Sequence, residues 1–268
     1  MPEMLEVEAA RQLIEHAALG RRIASVDAQD AWYLKRGLTA HALDAALPGR
    51  AFTAARRRGK LLLLDTGGVG PSRAPGPVLA LHLGMSGRVV IDGAAAGDPL
   101  LYTSNEDRPE WYRFRLHFAD GGALALRDPR RLGAVELDPD EDRLGTDALS
   151  IDRASLERAL GHSRAPLKAV LMDQARIAGL GNLLADEVLW RSGLDPARPA
   201  GSLDPDERAV LRRTIRHTVR VLGRRGGSHT GDLMPARLPG GLCPRDGAPL
   251  LRRTVGGRTT YSCPVHQV

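Results

Sequence analysis

Trp111-Tyr112-Arg113-Phe114-Arg115-Leu116-His117-Phe118, then Ala119-Asp120-Gly121-Gly122 and Ala123-Leu124-Ala125-Leu126, decides the first half of the fold. Phe114, Leu116 and Phe118 fall on one side of an extended chain and Arg113, Arg115 and His117 on the other, the two-residue period of a half-buried strand. Asp120-Gly121-Gly122 supplies turn chemistry, so the run predicts an antiparallel hairpin. Working outward, the apolar runs 61–64 and 78–83 read as further strands, and the Gly- and Pro-rich stretch 67–77 reads as a loop. Upstream, Val7, Ala10, Leu13, Ile14 and Ala17 recur at helical spacing over residues 3–19, between Pro2 and Gly20. Residues 1–138 are therefore expected to form one domain, an antiparallel β-sandwich preceded by one helix.

Beyond residue 138 the period changes. Residues 153–161, 165–175, 182–192 and 204–224 carry helical patterns, and the last places Leu211, Ile215, Val219 and Leu222 on one stripe. Arg208, Arg212, Arg216 and Arg220 lie mainly off that stripe, which is also what a solvated face looks like. Gly179-Leu180-Gly181-Asn182 is a tight turn opening a helix, a geometry that offers backbone N–H groups to an anion. These helices are expected to form a second domain, 139–226. A Gly- and Pro-rich linker and a short hairpin follow at 227–268. The fold class is α+β, with several domains.

The chain has 268 residues, 43% hydrophobic and 26% charged, with a formal charge of +6. That is long enough to bury a sizeable core. No run approaches the ~20 apolar residues of a membrane span. Glu3, Glu6 and Glu8 break any signal-like start, so the expected compartment is the cytoplasm. The basic balance suits a polyanion, although an arginine-rich genome gives the same balance. Lys35, Lys60 and Lys168 are the three lysines.

Several groups carry chemistry. Met1 precedes a small residue, so its removal is expected, leaving Pro2 with a free secondary amine. An α-amine titrates near pH ~8 and is partly nucleophilic at neutral pH. Glu3 and Glu6 share a helix face at the positive end of the dipole, where they can donate or orient a proton. Pro and Glu are also ordinary helix-start residues. Arg56-Arg57-Arg58-Gly59-Lys60 can hold phosphates or guard a strand edge. His82-Leu83-Gly84-Met85-Ser86-Gly87 and Asp128-Pro129-Arg130-Arg131-Leu132-Gly133 are turns after strands. Met85 and Leu132 there can fill the gap left by an extruded base, with Arg131 facing the orphaned partner. Cys243-x-x-Asp246 and Cys263-x-x-His266 have the spacing of a zinc-ribbon hairpin and predict a structural Zn2+.

Together these segments resemble the formamidopyrimidine-DNA glycosylase and endonuclease VIII family, in its order and over nearly the whole chain. The resemblance rests on Met1-Pro2-Glu3-Met4-Leu5-Glu6-Val7-Glu8, Arg58-Gly59-Lys60, the runs 82–87 and 128–133, Leu171-Met172-Asp173, Gly179-Leu180-Gly181-Asn182 and Arg258. It implies a helix-two-turn-helix DNA-binding domain and a base-excision-repair glycosylase with β,δ-elimination lyase activity. Pro2 is then the Schiff-base nucleophile at C1′, with Glu3 and Glu6 assisting. Lys60, Asn182 and Arg258 grip phosphates, and His82 and Lys168 fall at further DNA-contacting positions. Met85, Arg131 and Leu132 occupy the void. The implied partner is double-stranded DNA bearing a damaged base or abasic site, met by a monomer with no membrane role.

The chain departs from the family pattern in places. Leu5 stands for a proline, Leu132 for a phenylalanine wedge, and Asp246 and His266 for cysteines. Only 14 residues separate Ser228 from Cys243. The branch that removes 8-oxoguanine carries a longer segment there, so oxidised pyrimidines, ring-opened purines or abasic sites are the expected substrates. Two other readings use the same residues: a non-catalytic protein that binds kinked or damaged DNA, and a zinc-ribbon scaffold for a protein partner.

Overall fold

Helix α1 (Met4–Ala17) starts almost as soon as the chain does. Glu3 is its extended N-cap and forms a reciprocal capping box with Glu6, satisfying amides that would otherwise be orphaned. Met4, Val7, Ala10 and Ile14 are buried along one stripe, which seats α1 on the core. The structure is a computed structural model that describes residues 2–69, 74–97 and 104–268. Two units emerge from it, Met1–Glu141 and Asp142–Val268.

In the first unit α1 is followed by β1 (Ile23–Asp27), α2 (Ala40–Ala46), β2 (Arg50–Arg58), β3 (Leu61–Gly68), β4 (Pro75–His82), β5 (Arg88–Ile91), β6 (Ala94–Ala95), β7 (Tyr112–Phe118), β8 (Ala123–Arg127) and β9 (Ala134–Leu137). Their pairing gives a five-stranded sheet, β1-β7-β8-β5-β6, and a four-stranded sheet, β2-β3-β4-β9, both antiparallel. Phe114, Leu116 and Phe118 are buried as their alternation predicts, beside Leu62, Leu64, Leu79 and Leu81 from the other sheet. Each such side chain contributes roughly 1.5–3 kcal/mol by leaving water.

Two expectations are corrected here. The strands reach further into 67–77 than its glycines and prolines suggest, because Gly67 pairs with Pro75 and the Gly68 N–H donates to Ala74 O. Pro75 is tolerated as the first residue of its strand. Residues 70–73 lie outside the described ones. The sandwich also carries a second helix, α2. Its seven residues bury only Leu43, too little for a readable stripe, and Thr39 caps it by accepting from the Ala42 N–H.

The second unit runs β10 (Thr146–Asp147), α3 (Arg153–Leu160), α4 (Leu167–Met172), β11 (Ile177–Ala178), α5 (Asn182–Ser192), α6 (Pro205–Arg225), β12 (Leu251–Val255) and β13 (Arg258–Ser262). Helix α6 has sharp ends. Asp204 and Glu207 form a capping box, Pro205 takes the first turn, and Gly226 closes it at φ 111°. Leu211, Ile215, Val219 and Leu222 are buried, as their spacing predicts. Strands β12 and β13 make a hairpin through Gly256 and Gly257, both in the left-handed region, as a two-residue type I′ turn requires. Among the described residues no helix is long and apolar enough to cross a membrane.

Candidate functional site

The register of the four-stranded sheet brings chemistry-bearing residues to one end of the first unit. Leu61 pairs with His82, and His82 pairs with Ala134. Lys60 sits in the Gly59-Lys60 turn joining β2 to β3, where Gly59 adopts φ 59°. Lys60, the run 82–87 and the run 128–133 therefore leave the sheet at the same edge. Helix α1 is tied to that edge by Arg57, whose Nε donates to Glu8 Oε2 at 3.1 Å and whose Nη1 donates to Gly59 O at 2.9 Å. Arg56 is held by Asp65 and Glu141. The basic run 56–60 is thus partly neutralised internally, and Arg57 serves as a strut.

At the start of α1, Pro2 and Glu3 are buried. Glu6 Oε2 accepts the Glu3 N–H at 2.7 Å, so Glu6 acts by fixing the backbone of Glu3. Met1 lies outside the described residues, and with it the expected removal. His82 Nδ1 accepts the Gly84 N–H at 3.1 Å, which places the ring proton on Nε2.

The two turns at this edge are built on one carboxylate. Buried Asp128 accepts from Tyr33 Oη at 3.2 Å, from Ser86 Oγ, and from the amides of Arg130, Leu132 and Gly133. Burial, with Asp128 alongside, pushes the Tyr33 phenol far up and keeps it a neutral donor. Any side chain at Gly84 would strike the Leu132 carbonyl, so the turns lie back to back. Met85 and Leu132 project from them 36% and 48% exposed. Arg131 adopts φ 56° and makes a two-toothed pair with Asp30, whose carboxyl it holds below the usual range.

In the second unit, Asn182 opens α5 behind the N-cap Gly181. The turn is clamped by Gln174, which accepts from the Gly179 N–H and donates to Leu180 O. Asn182 Nδ2 donates to Thr259 O at 3.1 Å, placing Asn182 beside Arg258 at the hairpin tip. Arg258 is exposed. Lys168 is fully buried, with Nζ 2.7 Å from Asp186 Oδ1 and 2.8 Å from Thr260 Oγ1. It holds the hairpin against the helices. Asp186 also binds Arg237, and an Asp inside an apolar helix carries no motif that would announce it.

Cys243, Asp246, Cys263 and His266 converge, with one ligand atom of each within 4.8 Å of all the others. His266 Nδ1 lies 2.6 Å from Asp246 Oδ2, and Cys263 Sγ lies 3.2 Å from the same oxygen. His266 Nε2 faces Trp190 O at 3.3 Å, leaving Nδ1 to face the cluster. The Trp190 indole donates to Cys243 Sγ at 3.3 Å, and the amides of Arg245 and Val265 donate to the two sulfurs. Burial raises the Cys263 thiol, whereas the Ala248 amide and then His266 hold the Asp246 carboxyl far below the usual range. Both cysteines are free thiols. Two sulfurs, one imidazole and one carboxylate can bind a metal ion and suit a borderline-soft, tetrahedral one.

Residues 1–135 match the model of the formamidopyrimidine-DNA glycosylase N-terminal domain, and residues 144–232 match the H2TH domain of the same proteins. A formamidopyrimidine-DNA glycosylase of Cereibacter sphaeroides is 35% identical over 294 aligned positions, covering 98% of this chain and 99% of the relative. The Thermus thermophilus protein of that name is 33% identical, covering 100% and 98%. Among solved structures, the Lactococcus lactis protein in complex with abasic-site DNA superposes with a TM-score of 0.81 at 26% identity, over all of both chains. A MutM complex with DNA containing carbocyclic 8-oxo-G gives 0.82 at 26%, again over all of both chains.

Proposed function

The chain belongs to the formamidopyrimidine-DNA glycosylase family, and from that premise we propose that Pro2 is its nucleophile, with Glu3 moving the proton and Lys60, Asn182 and Arg258 holding backbone phosphates. It is a DNA glycosylase and abasic-site lyase of base excision repair, and its partner is DNA carrying a damaged base or an abasic site. The Pro2 amine attacks C1′, the glycosidic bond breaks, and the base leaves with the bonding pair and a proton. The amine gives up its proton, the C1′–O4′ bond breaks as O4′ takes a proton, and the nitrogen lone pair closes the C1′=N iminium of the opened sugar. Abstraction of the C2′ proton then expels the 3′ phosphate, and a second elimination expels the 5′ phosphate. Water returns Pro2 to the free amine.

The observation that carries this reading is the junction at Arg57, which ties the helix bearing Pro2 and Glu3 to the turn bearing Lys60. The burial of Glu3 at a helix N-terminus, next in the chain to Pro2, supports a proton-transferring role beside the nucleophile. Borohydride trapping on an abasic duplex tests it. A covalent adduct is expected, and it is lost in Pro2→Gly and in a chain extended at its N-terminus. An adduct that survives both changes places the nucleophile elsewhere. No adduct, with equal affinity for intact and lesion duplex, favours the non-catalytic DNA-binding reading.

The substrates proposed are oxidised pyrimidines, ring-opened purines and abasic sites. Support comes from the connector ahead of Cys243, which is short and pinned. The amides of Asp232 and Leu233 bond to Glu187, and Arg237 pairs with Asp186. Cys243, Asp246, Cys263 and His266 are proposed to hold Zn2+, which fixes the two knuckles of the hairpin and takes no part in the reaction. The chain is proposed to act as a monomer at the bacterial chromosome.

A further inference from the structure

The most exposed aromatic side chain among the described residues belongs to no motif. Trp32 is 63% exposed, whereas its neighbours Tyr33 and Leu34 are buried. The indole is held outward on an ordered loop, where it is open to a flat partner. Its loop is bolted to the turn that carries Leu132. Tyr33 Oη donates to Asp128, the Val135 N–H donates to Tyr33 O at 2.9 Å, and the Lys35 N–H donates to Val135 O at 3.0 Å. Asp30, two residues before Trp32, grips Arg131, the residue before Leu132. The Lys35 ammonium lies 4.5 Å from the centre of the indole ring, so the platform pairs a π-face with a cation.

We propose that Trp32, with Lys35 over its ring, is a second nucleobase-contact site, taking an unpaired base on the strand opposite the lesion. This rests on the reading of Met85, Arg131 and Leu132 as the residues that fill the void. Everting a nucleotide leaves its partner unpaired with an unstacked face. Leu132 and Met85 exclude water there but have no π-face. An aromatic ring beside a cation is the usual platform for such a base, because stacking accepts any of the four. The chain therefore retains aromatic stacking, on the loop 30–35 and not on the turn 128–133.

The test uses a duplex with a tetrahydrofuran abasic analogue, which binds but cannot form an iminium, so the outcome is independent of borohydride trapping. Trp32→Ala is expected to weaken binding about tenfold, while Trp32→Phe stays within about threefold of the parent. When the base opposite the analogue is also removed, the Trp32→Ala loss should shrink to within about twofold, which a merely structural role would not produce. Acrylamide quenching of the Trp32 emission, taken as the parent minus Trp32→Phe, should fall severalfold on binding. An indole equally quenchable in the complex overturns the proposal even where Pro2 is trapped normally. So does a Trp32→Ala loss that ignores the opposite base.

Discussion

Lys168 and Asp186 form an ion pair of 2.7 Å with both side chains fully enclosed. Asp186 also binds Arg237 through Oδ2, and Lys168 reaches the carbonyl of Thr259 and the hydroxyl of Thr260. Removing one member of a buried pair strands the other, at a cost of about 3–5 kcal/mol. Arg237 remains beside Asp186, so Lys168→Met should fall at the lower end of that range in urea unfolding. Replacing both partners, Lys168→Met with Asp186→Leu, should recover part of the loss. Duplex affinity should drop in the single variant, because the hairpin tip beside Asn182 loses an anchor. A Lys168→Met protein as stable and as tightly binding as the parent would refute this role.

Arg258 stands exposed one residue before Thr259, whose carbonyl Asn182 holds. In the proposed role its guanidinium would bind a phosphate without reading sequence. Arg258→Ala should weaken binding to all duplexes similarly and lower the slope of log affinity against log salt by about one. An unchanged slope would place Arg258 off the DNA.

Strand alternation, the stripes of α1 and α6 and the glycine turns were legible because each follows a local period that burial enforces. Phe114, Leu116 and Phe118 needed no partner to be read. What escaped depended on contacts distant in sequence. Nothing near Lys168 announces Asp186, and Arg57 looked like one charge in a basic run until Glu8 and Gly59 appeared on either side of it. Asp128 was visible as part of a turn motif, but its five donors come from three separate stretches of chain. Trp32 was silent because a single aromatic between polar residues has no period.

Asp30 controls where Arg131 points. Arg131 lowers the Asp30 pKa, so the contribution of the pair is present above the ordinary carboxylate value near ~3.9 and is lost as pH falls through the depressed one. Between pH 6 and 8 the latch is therefore constant. Asp30→Asn should change the ratio of nicking rates between the best and worst opposite base severalfold, with no new pH dependence in that range. Equal ratios in parent and variant would mean that Arg131 is oriented by something else.

Tyr33 gives the alkaline limit of the first unit. Its folded pKa is raised by burial and by Asp128, so the stability it contributes is fully present below the unfolded value near ~10 and is lost as pH rises beyond it. Thermal unfolding should show a decline above pH 10 that becomes shallower, by up to one proton, in Tyr33→Phe. That variant should also be less stable at pH 7, since Asp128 loses a donor. An identical alkaline slope would show that Tyr33 ionises in the folded protein as it does unfolded.

The metal prediction turns on Trp190, which donates to Cys243 Sγ and offers its carbonyl to His266 Nε2. A zinc ion held by Cys243, Asp246, Cys263 and His266 should be found at one equivalent per chain by elemental analysis. Chelation should lower the melting temperature and shift the emission of Trp190, because the indole is bonded to a ligand sulfur and buried against both cysteines. Asp246→Ala removes one of the four donors and should cut metal retention during dialysis, whereas Asp246→Cys should restore it, since a thiolate is the softer ligand. A folded, metal-free chain with the same melting temperature before and after chelation would show the hairpin to be held by packing alone.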